Sequence, residues 1–314
     1  MTPKFIVRSK ENKQRSIIDF FDDKSRKEFE NANNHKEETP SEIGSRTAGG
    51  GYKYERYFRD LLNNRLDSDE AKFVLDQLNI DINNVKSLRV EKLGGKLKPD
   101  NQIIIEMKSN KIVKINISNK KQDKNGYNHI DRRTVDFYTD KFGFPPILRT
   151  ALKKYCGVPG FSPVDLLRSG ELTKAEYLKL IDIPEKKKHT EEESQGGRFY
   201  INELSNLERD IILGYFESHK EPIMRFVLNG DNPDYPVDYV VVGKEKGKNY
   251  DHYVYTLEEA FNKACQGKFF LSKPTLGHGS NLRIGPITIQ KKGGTGRSTT
   301  LQFKWKDIFP KNKG

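Results

Sequence analysis

Residues 98–120 read KPDNQIIIEMKSNKIVKINISNK, and the way this stretch folds back on itself decides the fold. Two β-prone runs, Gln102–Met107 and Ile112–Lys120, flank the polar turn Lys108-Ser109-Asn110-Lys111. The apolar face of the first run is Ile103, Ile105 and Met107, and that of the second is Val113, Ile115 and Ile117. Directly opposed residues of an antiparallel pair point to the same side of a sheet, so matching these faces sets the register. It gathers Asp100, Asn116, Ser118 and Lys120 on the opposite side. A plain two-residue turn at Ser109-Asn110 would give the wrong parity. The pattern therefore predicts an odd-length turn or a bulge.

A carboxylate, a hydroxyl and an ammonium on one patch suit the hydrolysis of a phosphodiester. That reaction needs oxygen ligands for Mg²⁺ and a cation beside the attacking water or the scissile phosphate. Asp100 is the candidate main metal ligand, and Lys120 the group that orients water or stabilises the pentavalent phosphorane. Ser118 stands where a second acid is expected, so the patch is short of one negative charge. Glu55, on a helix upstream, is the candidate to supply it. A literal reading would instead pair Asp100 with Glu106-Met107-Lys108. Those acids sit six residues apart on one strand, and at about 3.3 Å per residue they are roughly 20 Å apart, too far to share an ion. The plainer alternatives are a turn-initiating Asp100 after Pro99 and a solvated strand end at Lys120 beside Lys121.

Working outward, residues 1–49 are polar and read as a mostly disordered basic tail, with 26–46 the least patterned part. After Gly49-Gly50-Gly51, residues Tyr54, Phe58, Leu61 and Leu62 recur at helical spacing and predict an amphipathic helix over 52–65. A second helix is expected over 68–78, a strand at 87–90, and a helix over 131–141. Residues 185–197, EKKKHTEEESQGG, read as a charged linker. Beyond it come a helix at 206–216, strands at 224–228, 239–242, 282–290 and 300–305, and a helix at 257–265. These elements divide the chain into a catalytic core at 50–183, a linker at 184–197 and a strand-rich recognition region at 198–314. The expected class is α/β (α+β), a mixed central sheet flanked by helices.

Lys and Arg number 56 against 44 Asp and Glu, a net charge of +12 that attracts polyanions; a Lys-rich soluble protein would look the same. No apolar run approaches the roughly 20 residues of a membrane span. The opening MTPKFIVRSKENKQ lacks the apolar stretch of a secretory signal, which predicts a cytoplasmic protein. Cys156 and Cys265 match no metal spacing and read as two buried thiols.

The order of the pieces is similar to a set of type II restriction endonucleases of the PD-(D/E)xK nuclease superfamily. GGGYKYERYFRDLLN with Glu55, then EKLGGKLKPDNQIII, VKINISNKK and NHIDRRTVDFY resemble their "helix-Glu, GGxxKxD, ISxK, His-helix" succession. The likeness resumes at PVDYVVV (236–242) and at NLRIGPITIQKKGGTGRSTTLQFKWK (281–306). It implies a restriction-endonuclease-like core, Mg²⁺ dependence and cleavage of both strands of DNA at a short sequence. It also implies a cognate DNA methyltransferase as functional partner. It carries over Asp100, Ser118, Lys120 and Glu55, with His129 as a phosphate contact or a cap of the next helix. Ser118 departs from the acidic position of the name-giving motif and leaves open whether one or two metal ions bind.

Two further stretches concern partners. The strands at 282–290 and 300–305 flank Lys291-Lys292-Gly293-Gly294-Thr295-Gly296-Arg297, a Gly-rich basic hairpin suited to phosphates. Arg283, Gln290, Lys292 and Arg297 have side chains that pair with base edges, Arg with guanine and Gln with adenine. An ordinary charged hairpin is the alternative. Asp238 with Gln290-x-Lys292 is a rival catalytic set, ranked lower for its long gap. In the tail, Gln14, Ile17, Phe20 and Phe21 are similar in spacing to peptides that dock on sliding clamps by one helical turn, and a short helix packed on its own domain is the alternative ranked ahead of it. A palindromic target would suggest a homodimer, although some enzymes of this class act as monomers. The competing functions are a structure-directed repair or junction nuclease and a basic DNA-binding protein without catalysis.

Overall fold

The computed structural model describes residues 6–8, 14–16, 40–94, 97–122, 126–181, 198–274, 279–291 and 298–310. The chain divides into two compact units, Met1–Ala48 and Gly49–Gly314. In the first, β1 (Ile6–Arg8) pairs antiparallel with β2 (Gln14–Ser16), Val7 opposite Arg15. Gln14 thus starts a strand where a helical docking turn was expected. Ile17, Phe20 and Phe21 lie outside the described residues, as does the expected linker over 185–197.

Helix α1 runs Pro40–Asn64, twelve residues ahead of the expected start, so its first turns occupy part of the stretch read as disordered. Proline suits the first helical position because its missing N–H has no partner there anyway. Gly49, Gly50 and Gly51 fall inside the helix. Each is unfavourable by about 1 kcal/mol relative to alanine, and buried Tyr54, Phe58, Leu61 and Leu62 outweigh them further along. Helix α2 (Asp69–Gln77) begins at Ser68, whose hydroxyl accepts from the Ala71 N–H.

The central sheet has the order β3-β4-β5-β7-β8, formed by β3 (Val85–Lys92), β4 (Asn101–Met107), β5 (Ile112–Gln122), β7 (Tyr239–Lys246) and β8 (Asn249–Thr256). All its neighbours are antiparallel except β5 and β7, which makes it mixed. Ile103, Ile105, Ile117, Val241 and Val254 turn to one side and bury against Phe58, Leu61, Leu62, Val74 and Leu75 of α1 and α2. Val240 and Val242, one residue out of step, turn to the other side, as strand periodicity demands. There they join a larger core shared with a second sheet of order β6-β12-β11-β10-β9. Its strands are β6 (Tyr127–Thr134), β9 (Phe270–Leu271), β10 (Leu282–Ile284), β11 (Ile287–Lys291) and β12 (Thr300–Lys306). The mixed α/β class with a mixed sheet flanked by helices is as the sequence predicts.

Four local expectations change. Residues 224–228 are helical, within Lys220–Asn229, rather than a strand. Pro222 in the first turn, buried Ile223, Met224, Phe226, Val227 and Leu228, and Gly230 after the end fit a helix, and short apolar runs are ambiguous from periodicity alone. Residues 127–134 form a strand, and the helix after it starts at Val135, capped by Thr134. The run 282–290 is cut in two at Gly285, which has φ +46° and precedes Pro286. Strand β8 was not anticipated.

Gly243 of β7 leaves room for the Tyr54 ring. A Cβ there would lie 2.1 Å from Tyr54 Cε2, in a ring closed in on all sides. Gly243→Ala is expected to lower stability by about 3 kcal/mol through overpacking, read as a lower urea midpoint at unchanged slope.

Candidate active site

The β4–β5 hairpin closes through three residues. Met107 N–H donates to Lys111 O at 2.9 Å, Asn110 N–H to Met107 O at 2.8 Å, and Asn110 takes φ +63°. Asparagine tolerates that left-handed conformation better than most residues. The turn is odd in length, as the face-matching argument requires. Asn101 consequently sits opposite Ile117 and Gln102 opposite Asn116, with the Gln102 amide donating to Asn116 Oδ1 at 2.8 Å.

One step further along this ladder, Asp100 meets the end of β5. Its N–H donates to Ile117 O at 2.8 Å. Its Oδ2 accepts from the Asn119 N–H at 2.7 Å and lies 3.4 Å from both Ser118 Oγ and Lys120 Nζ. Lys120 Nζ also donates to Asn119 O at 3.1 Å. Asp100, Ser118 and Lys120 therefore stand together on one side of the sheet. Ser118 is buried, while the Asp100 and Lys120 side chains keep 25% and 14% exposure, enough for a phosphate to approach them.

Glu55 on α1 is half-buried behind them. Burial pushes its carboxyl up from the usual range and the Asp100 charge pushes it further, while Lys120, Lys92 and Arg59 oppose the rise. Two carboxylates whose charges oppose one another, with the Ser118 hydroxyl beside Asp100, are hard-oxygen donors of the kind a divalent cation takes. Among the described residues no group of three or more His, Cys, Asp or Glu is placed to hold a metal. The set fits an ion that takes one or two carboxylates and keeps several waters.

Glu106 lies at the far end of β4. Lys86 holds it at 2.6 Å and Ser87 at 3.0 Å, and those hydrogen bonds draw its carboxyl below the usual range. Glu106→Ala is expected to leave DNA cleavage within about twofold of the unsubstituted chain, since exposed pairs of this kind contribute little. Single-turnover rates measured side by side check this. The rival set is split between the two sheets, and its Lys292 lies outside the described residues. Asp238 Oδ2 accepts the Asn116 N–H at 2.7 Å at the start of β7, whereas Gln290 is in the second sheet.

On the second sheet, the residues proposed to meet DNA divide between its faces. Arg283 stands opposite Thr288, Gln290 opposite Gln302, and exposed His129 opposite Lys304. Exposed Arg132, which sequence reasoning passed over, also stands opposite Gln302, on the side of Gln290. Lys291 turns the other way with Ile287 and Ile289 and is 6% exposed, so alternation removes it from that face. His129 lies within β6, and Thr134 rather than His129 caps the following helix. Lys292 and Arg297 are outside the described residues.

Sequence reasoning also missed Lys98, two residues before Asp100. Its Nζ donates to Ile130 O at 2.6 Å and lies 3.4 Å from Asp131 Oδ1, tying the strand that enters the site to β6. Burial pushes its ammonium down to about 8, against the pull of Asp131, and Lys120 adds to the lowering. A Cβ on Gly230 would lie 2.8 Å from Lys98 Cβ, so the stem needs a glycine beside it. The Lys-x-Asp spacing was the available signal.

Residues 181–310 match the family model of the R.HinP1I restriction endonuclease. The chain is similar to type II restriction endonucleases over that stretch, as its motifs suggested. The stretch takes in β7 to β12, with Arg283 and Gln290, and it leaves out β6 and the hairpin that carries Asp100. A crystal structure of the restriction endonuclease MspI in complex with its cognate DNA aligns at a TM-score of 0.49 and 13% identity, covering 89% of this chain and 98% of that chain. No curated protein matches the chain. No helix among the described residues is long and apolar enough to cross a membrane.

Proposed function

We propose that this chain is a Mg²⁺-dependent endonuclease that cuts both strands of DNA at a short sequence, a type II restriction enzyme of the PD-(D/E)xK class. The observation that carries the reading is the convergence of Asp100, the Asn119 peptide and Lys120 at the open end of the β4–β5 hairpin. Asp100 and Glu55 would hold the ion, with Ser118 standing beside Asp100. When bound, Mg²⁺ supplies positive charge against the phosphate and acidifies water.

The chain's own groups do the rest. Lys120 already has its ammonium at the carboxylate edge, where it can donate to the attacking water or to a phosphate oxygen as charge builds there. The Asn119 N–H keeps Asp100 turned toward it. The net charge of +12 draws the duplex in. Arg283 and Gln290 supply base-edge partners and His129 a phosphate contact, and Lys292 and Arg297, which lie outside the described residues, are further candidates from the sequence. A methyltransferase protecting the same sequence is the functional partner, in a cytoplasmic restriction–modification system. A palindromic target would be cut by a homodimer.

Incubation with a plasmid of known sequence and Mg²⁺ tests the reading. Discrete fragments support it. Cutting confined to branched or flapped DNA would instead make the chain a repair or junction nuclease, and binding without cutting a DNA-binding protein.

A further inference from the structure

Behind the candidate site lies a run of buried polar side chains whose hydrogen-bond direction is set from both ends. Arg59 can only donate, and its Nη1 reaches Asn101 Oδ1 at 2.8 Å. That turns the Asn101 amide nitrogen toward Asn119 Oδ1, at 2.6 Å. The Asn119 nitrogen is buried and has no hydrogen-bond partner among the described residues. Burial drives the Tyr54 pKa well up and the Asn119 side chain acts against that rise, so the two lie near one another without a hydrogen bond between them.

From the other end, Glu70 can only accept as a carboxylate, and His252 Nε2 lies 2.8 Å from its Oε1. The proton is therefore on Nε2, and Nδ1 accepts from the Tyr54 hydroxyl at 3.0 Å. Burial lowers the His252 pKa, which keeps the ring neutral as this tautomer requires. The donors form two hydrogen-bonded arms, Arg59 to Asn101 to Asn119 and Tyr54 to His252 to Glu70, and the arms approach one another at the Asn119 side chain and the Tyr54 hydroxyl.

Tyr54, Asn101, Asn119 and His252 are each under 10% exposed, and all but the Asn119 amide nitrogen have hydrogen bonds that offset the cost of burying polar groups. The run meets the Asp100–Lys120 pair at Asn119. Asn119 sends its side chain into the run, while its N–H holds Asp100 and its carbonyl holds Lys120. The two faces of one strand residue thus join the buried series to the reacting groups.

We propose that the series Arg59–Asn101–Asn119–Tyr54–His252–Glu70 is a positioning device that fixes the Asn119 peptide, and through it the Asp100–Lys120 pair, for DNA cleavage. The cleavage part rests on the endonuclease reading; the fixing of the peptide does not. Tyr54→Phe removes only the hydroxyl and keeps the ring in the space beside Gly243. In the full chain it is expected to slow single-turnover cleavage roughly tenfold or more, leave the Kd for duplex DNA unchanged, and speed hydrogen exchange at the Asn119 amide in the DNA-free protein. Tyr255→Phe is the control. It deletes another buried hydroxyl, bonded to Ile308 O at 2.7 Å, and should keep both the rate and the Asn119 protection. Arg59→Met, at the half-buried end of the series, should shift both readouts in the same direction as Tyr54→Phe and serves if that variant does not fold. Unchanged rate and protection in the folded series variants overturn the proposal, as does an equal loss in Tyr255→Phe. If the unsubstituted chain cuts no DNA, the endonuclease reading falls, and Asn119 exchange alone decides whether the series fixes the peptide.

Discussion

Asp100→Ala is expected to reduce single-turnover cleavage by about a thousandfold or more, with duplex affinity retained. Asp100 is the group on which the site converges. The Asn119 N–H and the Lys120 ammonium both address its Oδ2, and its charge contributes to holding the Glu55 carboxyl up. Removing it takes away the main anchor for a divalent ion. Affinity should survive because phosphate contacts come from cations elsewhere, and loss of one negative charge favours a polyanion. Asp100→Asn separates the two roles of the side chain. Its amide oxygen can still accept from Asn119 and preserve the hairpin end, but it carries no charge. Equal inactivity in both variants, with melting temperatures near that of the unsubstituted chain, would place the effect on charge. Normal cutting by either variant would exclude this site.

Lys120→Ala is expected to slow cleavage by roughly a hundredfold to a thousandfold. Its side chain is 14% exposed, and the two partners of its ammonium, Asp100 Oδ2 and Asn119 O, hold it at the opening of the site. Lys120→Arg should not restore the rate. A planar guanidinium spreads its charge over a wider fork than the compact ammonium it replaces, and the position between the carboxylate and the Asn119 carbonyl suits a point charge. Measuring the rate constant at saturating enzyme, beside a gel-shift affinity, distinguishes loss of chemistry from loss of binding. A variant that binds weakly but cuts normally once bound would move Lys120 from chemistry to DNA contact.

The hairpin was readable because strand periodicity is strict. Two isoleucines and a methionine against a valine and two isoleucines leave one register that buries both sets, and that register places Asp100 with Lys120. The start of α1 was less readable, since three consecutive glycines resemble a boundary and the side chains that hold the helix come later. Helix 220–229 was mistaken for a strand because five apolar residues in a run of six carry no clear period. Lys291 was assigned by composition, and only the pairing of Lys291 with Leu301 shows which face it takes. The Tyr54–His252 bond joins residues 198 positions apart, and no local pattern announces such a contact. Strand β8 had a signal that went unread: Tyr250, His252 and Val254 alternate along NYDHYVYT, and all three are buried.

The loop of Lys108, Ser109 and Asn110 has a consequence for how such a chain can change over generations. It touches no candidate substrate group, yet it acts as a counter. Losing or gaining one residue there would slide β5 by a single step against its neighbours and send Lys120 to the helix-covered side. Insertions of two residues would preserve the sidedness of every position downstream. Variation in the length of this distant tip should therefore come in even increments, a constraint imposed by pleating rather than by contact with DNA.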